Sequence, residues 1–422
     1  MVIDTERPVA PDDVAQLGLD LGFLMGLTLK TLYFAGGMSG IEIANRLALA
    51  PGPALQILDQ LRRDHLCEVT GGSGHFPATL HFSLTTAGFD RAKDALAQCG
   101  YVGPAPIPLN EYIESVRRQS IHTVTLTRET IEENLSGLVL EQQTLDLIGQ
   151  ALTSERAMLL YGASGNGKST AADALRHALP GYILIPHAIE VMQQVITVYD
   201  PSSHEAISDF GVGHANEFPG ADRRWIAIKR PAVVSAGELA AGHLELVLDD
   251  ATRTYDAPIQ MKANGGVLVI DDFGRQRIDA AYLLNRWIVP LEKGSDHLSL
   301  QNGFRFQVPF DVIPMFLTNR PPADLADEAF LRRIRYKIEI PSPTASAFVE
   351  ILRRECLRHD VTYDDAAAQY LIDHHIRKAA RELRGCQPRN IVEAIADSAR
   401  YQGTELALTP ASIDSACATY FV

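Results

Sequence analysis

The chain has 422 residues, is 46% hydrophobic and 21% charged, and carries a net charge of −14 at pH 7. That length suits two or three domains with a full-sized core. The acidic balance argues against a general nucleic-acid binder, and no apolar run reaches the ~18 residues of a membrane-spanning helix.

The first residues carry Asp4, Glu6, Asp12 and Asp13 and lack the basic start and apolar middle of a signal peptide. Cys67, Cys99, Cys356, Cys386 and Cys417 are scattered, with no CxxC pair. Reduced thiols in a cytoplasmic protein are expected, with neither a disulfide framework nor a zinc site.

Residues 1–100 read as a helical module closed by a hairpin. A first helix covers Leu21 to Ala35, and "SGIEIANRLAL" gives a second, capped by Ser39. "APGP" breaks the pattern before "ALQILDQLRRDHL", where Leu55, Ile57, Leu58 and Leu61 recur at helical spacing. "CEVTGGSGHFPATLHFSLT" supplies two strand-like ends around a Gly-rich turn, and "TTAGFDRAKDALAQ" a closing helix. The order resembles a winged helix-turn-helix. Residues 1–100 hold eleven acidic and seven basic side chains, and Arg62 and Arg63 stand beside Asp59 and Asp64. Few cations are on offer to phosphates, so a protein-interaction or assembly role is expected ahead of DNA binding.

Residues 101–130, with three prolines in "YVGPAPIPLNEY", read as a linker. From residue 131, strand patterns "AMLLYG", "YILIPH", "VLVIDD", "IPMFLTN" and "YKIEI" alternate with helical ones. This predicts an α/β core with a parallel sheet over 131–342. "HAIEVMQQVITVYD" reads as a β-hairpin inserted near 188–230, and "RRWIAIKRPAVV" as a further strand-like piece. Residues 343–422 read as a helical lid whose last helix starts at Thr409 and Pro410.

The chemistry concentrates in two motifs. Gly162, Ala163, Ser164, Gly165, Asn166, Gly167, Lys168 and Ser169 fit G-x-x-x-x-G-K-[ST], followed by Thr170. Glycines let such a loop curl so that its N–H groups face phosphate oxygens. Lys168 would reach the β and γ phosphates, and Ser169 would ligate Mg²⁺. "GGVLVIDDFG" ends an apolar run in two adjacent carboxylates. Asp271 would hold the metal, and Asp272 would orient and deprotonate the attacking water.

With these motifs in place, the chain from about residue 131 onward resembles the AAA+ ATPase superfamily of P-loop NTPases. The resemblance implies ATP and Mg²⁺ as cofactors. It places Asn319, at the end of "MFLTNR", on the γ-phosphate or the water. Arg333 and Arg335, in "DEAFLRRIRYKIEI", align with arginine fingers given to a neighbouring subunit, with Arg332 close by. Arg389, in "RGCQPRNIVEA", aligns with a lid arginine that reaches back to the nucleotide. Leu138 and Val139, in "NLSGLVL", fall where relatives cover the adenine. Many relatives have Glu where Asp272 stands. A winged-helix-like N-terminus on such a module resembles bacterial proteins described as predicted ATPases with chaperone-like activity.

The expected function is an oligomeric, ring-shaped ATPase that remodels a protein client, and the resemblance implies a hexamer. A DNA-linked ATPase of helicase-loader, transposition-helper or transcription-regulator type is the alternative, as is a slow ATP-dependent switch. "YVG" at Tyr101 precedes the module and reads as linker, and "FGVG" at Phe210 reads as a plain loop. "HEAIS" at His204 lacks the second histidine of a zinc protease, and the absence of NKxD favours ATP over GTP.

Overall fold

The computed structural model describes residues 8–71, 77–207, 220–325 and 331–421. The tip of the Gly-rich turn with His75, the "FGVG" segment and the start of the "DEAFLRR" run lie outside the described residues.

The N-terminal part contains α1 (Leu21–Ala35), β1 (Met38–Ser39), α2 (Gly40–Arg46), α3 (Pro51–Arg63), β2 (Cys67–Gly71), β3 (His81–Leu84) and α4 (Thr86–Gln98). Ser39 caps α2 reciprocally with Glu42, and Pro51 occupies the first turn of α3, where its missing N–H costs nothing. The strands form an antiparallel sheet in the order β1-β3-β2. Leu24, Leu27, Ile43, Leu58, Leu61 and Phe82 share one core beneath it.

The expected linker is largely structured. β4 (Ile107–Pro108) runs directly into α5 (Leu109–Arg118), which buries Tyr112 and Ser115. All three prolines precede the helix, so none interrupts it, and Pro108 sits at its N-cap.

The α/β core follows with α6 (Arg128–Leu135), α7 (Gln142–Thr153), β5 (Met158–Tyr161) and α8 (Lys168–Arg176). Next come β6 (Tyr182–Pro186), β7 (Ala188–Val191), β8 (Gln194–Thr197), β9 (Trp225–Lys229), β10 (Ala232–Ser235), β11 (Val247–Asp249) and β12 (Thr254–Asp256). The run ends with α9 (Ile259–Lys262), β13 (Gly266–Ile270), α10 (Ala280–Arg286), α11 (Ile288–Lys293), β14 (Ser295–Ser299), β15 (Arg305–Pro309), β16 (Val312–Thr318) and β17 (Tyr336–Glu339).

Five strands in the order β10-β13-β16-β5-β17 form the main sheet, and every neighbouring pair is parallel. All carboxyl ends therefore lie along one edge. Both faces of the inner strands β13, β16 and β5 are covered, so these three read as near-continuous apolar runs. Met158 and Leu160 of β5 pack in one cluster with α7 and α8, while Leu159 packs on the other face with Leu283 and Trp287.

The sequence reading placed "YILIPH" in this sheet, and the structure corrects it. β6 pairs antiparallel with β9, and the outer strand of the main sheet is β10, from the supposed insertion. β9 and β10 are separated only by Arg230 and Pro231, so they read as one run. The Arg230 guanidinium makes the turn, donating to Gln119 O, Pro180 O and Gly265 O at 2.7–3.2 Å. The insertion is also larger than a hairpin. β7 and β8 join β4, β12 and β11 in a mixed five-stranded sheet, against which the β14–β15 hairpin packs Leu298, Phe306 and Val308.

This insertion holds the N-terminal part. Arg223 donates to Asn45 Oδ1 at 2.6 Å, and also to Ala44 O and Leu49 O, in the turn between α2 and α3. Beside it, Arg224 and Asp222 form an ion pair at 2.7 Å with both side chains at most 2% exposed.

The C-terminal part is helical, with α12 (Ala345–Arg358), α13 (Asp365–Tyr370), a π-helical turn over Leu371–Arg377, α14 (Cys386–Gln402) and α15 (Pro410–Tyr420). Thr409 caps α15 as the sequence suggests, accepting from Ser412 N. Phe348, Leu352, Ile391, Ile395 and Ile413 form a core of its own. The five cysteines are free, and no described helix is long and apolar enough to cross a membrane.

Candidate nucleotide site

The loop from Gly162 to Gly167 joins β5 to α8 at the carboxyl edge of the main sheet. Its curl needs glycine. A Cβ on Gly162 would lie 2.3 Å from Ile340 O, and one on Gly165, whose φ is +83°, would lie 2.4 Å from Cys386 Sγ. α8 opens at Lys168, so its first N–H groups and its positive dipole end face the cradle.

Lys168 is 9% exposed, and its ammonium donates to Gly162 O and Ala163 O at 3.0 Å. Burial lowers its pKa, the Asp271 and Asp272 carboxylates oppose that shift, and Arg384 adds to it. Ser164, Ser169 and Thr170 are exposed, and Ala163 is half-buried.

Asp271 follows β13, two strands from β5. Its Oδ2 accepts from Ser169 Oγ at 2.9 Å, so the two residues expected to share a metal already converge. Its Oδ1 accepts from Asp272 N at 2.7 Å, and its own N–H donates to Ser235 O of β10. Asp272 has φ +50° and an exposed side chain, which among the described residues takes no hydrogen bond. The left-handed turn swings the second carboxylate away from the first, leaving it to meet solvent or a ligand.

Asn319 follows β16, whose Thr318 is paired with Tyr161, so Asn319 stands beside Gly162 in register. Thr318 Oγ1 donates to Phe273 O at 3.0 Å and fixes this corner to the loop after the two aspartates. Loop, acid pair and asparagine thus share one edge of the sheet. The fold is that of a P-loop NTPase.

Other sequence-selected residues lie elsewhere. Tyr336 is opposite Met158 at the amino end of β5, so Arg333 and Arg335 lie on the sheet edge away from the phosphate loop. Three residues of strand separate the edges, about 10 Å at 3.3 Å per residue. Arg333 pairs with Glu292 of α11 at 2.7 Å, and exposed Arg335 lies 5.8 Å from the Tyr336 ring centroid. Leu138 packs on the main core and Val139 is half-buried. Arg354 of α12 donates to Ser136 O at 2.9 Å, tying the lid to that turn.

Arg389 does not fill the expected place. Its side chain is 62% exposed and pairs with Glu393 one turn along α14 at 2.8 Å. The arginine that acts on Lys168 is Arg384, before the helix. One of its terminal nitrogens pairs with Glu382 at 2.5 Å, while Nη1 is buried without a hydrogen-bond partner among the described residues. A buried orphan donor is costly, and an anion such as a phosphate oxygen would satisfy it. Sequence reasoning missed Arg384 because the motif R-G-C-Q-P-R holds two arginines and helix phase selects between them.

On α3, Arg62 and Arg63 both pair with Asp59, at 2.7 and 2.6 Å, and Gln56 is engaged with Asp13. Among the described residues no group of three or more His, Cys, Asp or Glu could hold a metal ion.

A family described as a domain of unknown function (DUF8689) matches residues 344–419, the helical lid. No curated protein matches the chain. Among solved structures, NtrX from Brucella abortus is similar at 16% identity and a TM-score of 0.41, covering 85% of this chain and 71% of that one. NtrX in complex with ATP gives 14% identity and a TM-score of 0.39, covering 87% and 76%. A RuvB mutant from Thermotoga maritima gives 16% identity and a TM-score of 0.37, covering 71% and 72%. Overlaps this shallow add nothing to the fold assignment, which stands on strand order and the position of the loop.

Proposed function

We propose that the protein is a MgATP-hydrolysing AAA+ enzyme that assembles with copies of itself and remodels a protein client. The observation that carries the reading is the 2.9 Å hydrogen bond from Ser169 Oγ to Asp271 Oδ2, which closes the phosphate loop onto the acid pair. A Mg²⁺ ion fits the oxygen donors gathered there and would supply charge neutralisation for the phosphates. The chain's own groups do the rest. Loop N–H groups and Lys168 hold the β and γ phosphates, Arg384 offers its orphan donor, and Leu138 and Val139 flank the base. Asp272 and Asn319 orient water at the γ-phosphate.

Self-assembly is supported by the arginines. Arg333 and Arg335 stand on the far sheet edge from their own loop, so any nucleotide they contact would belong to another copy. A protein client is favoured over DNA because the two arginines of α3 are both engaged by Asp59 and residues 1–100 carry a net charge of −4.

ATP turnover per subunit should rise with protein concentration and then saturate, reaching a plateau at least about tenfold above the dilute rate, as removal of an arginine finger costs 10³ or more. A flat rate would remove the shared site. The lid arginine is tested separately. Arg384→Ala should weaken nucleotide binding about tenfold, as loss of one charge-assisted hydrogen bond does, with Arg389→Ala within twofold of wild type. Isothermal titration with ADP reads both, and the reverse order would restore Arg389.

A further inference from the structure

The tip of the phosphate loop is gripped by the connector that leads into the lid and by the turn before α14 within the lid. On one side, the connector from β17 to α12 runs past Gly162, with Ile340 N donating to Tyr161 O at 2.8 Å. On the other, Cys386 N at the start of α14 donates to Gly165 O at 2.7 Å. Asn166 lies between them and is 6% exposed. Its Nδ2 donates to Ser342 Oγ at 3.2 Å, and its Oδ1 accepts from Gly385 N at 3.3 Å.

A side-chain amide carries a donor and an acceptor on one rigid plane, and here each is used on a different segment. Rotation of the lid about residues 341–344 cannot keep both bonds. The orientation of the lid and the shape of the loop are therefore not independent. We propose that Asn166 is a positioning residue that couples lid closure to the phosphate loop, so that the lid, bringing Arg384, and the loop N–H groups reach their nucleotide-binding arrangement together. This rests on the nucleotide-site reading. Its mechanical part, the latch, is testable without nucleotide.

Hydrogen exchange on the full chain in the absence of nucleotide tests the latch. In Asn166→Ala, amides of 384–387 should exchange about tenfold faster, as loss of one or two hydrogen bonds allows, with those of 391–399 in the lid core unchanged. Unchanged exchange at 384–387 overturns the proposal. Equal acceleration in both segments also overturns it, because it reports general destabilisation. Nucleotide binding gives the second readout. ADP affinity should fall about fivefold to tenfold in Asn166→Ala and about threefold in Ser342→Ala, with the double variant no weaker than Asn166→Ala, as for two residues in one network. Additive losses overturn the coupling. If Asn166→Ala does not fold, Ser342→Ala alone carries the exchange test. If wild type binds no ADP, the site reading falls, while exchange still decides the latch.

Discussion

Lys168→Ala should abolish tight nucleotide binding, raising the Kd for ATP and ADP by about 100-fold or more. The ammonium is already positioned, bonded to Gly162 O and Ala163 O at 3.0 Å and 9% exposed. A charge-assisted hydrogen bond contributes roughly 1.5–3 kcal/mol, and a lysine reaching two phosphates makes more than one. The variant keeps the α8 N-terminus and the loop N–H groups, so residual binding in the high micromolar range is compatible with the reading. Titration with a fluorescent ADP analogue decides it, and a Kd within threefold of wild type would remove Lys168 from phosphate recognition.

Asp272→Asn should bind ATP as wild type does and lose about 10²–10⁴-fold in turnover, the range expected for loss of a general base. The exposed Asp272 carboxylate takes no hydrogen bond among the described residues, so its amide replacement breaks no contact and the fold should stand. Single-turnover hydrolysis beside a binding isotherm separates the two steps, and an active Asp272→Asn enzyme would take the residue out of the base role. Asp272→Glu extends the carboxylate by one methylene. A large gain in its rate would identify the natural aspartate as a brake and favour the slow switch.

The convergence of the candidate site's two motifs was legible because the chemistry they suggest fixes residue types at fixed spacings. Gly162 to Ser169 and Asp271–Asp272 are read in one pass, and the Ser169–Asp271 bond brings them together. What was not legible depended on partners distant in sequence. β6 and β10 are similar apolar runs, and only the turn held by Arg230 sends β10 to the main sheet. Three prolines obscured α5 because proline statistics cannot tell a linker from a helix start. Arg384 and Arg389 sit five residues apart, and the pairing of Arg389 with Glu393 separates them. Asn166 occupies a variable position of its motif, so nothing in the spacing marks its role.

The Arg223 junction has a mechanical consequence. A module hung on a loose tether can be swapped, cut away or left to sample orientations freely. Here Arg223 fastens the end of α2 and the turn after it to the insertion, and Asp222 N donates to Pro8 O at 2.8 Å, so the N-terminal part is held at points besides its chain connection. Should the α/β core rotate, the joint would pass that rotation on to the N-terminal part instead of letting it lag on a tether. Severing the chain near residue 100 would unseat a bearing surface.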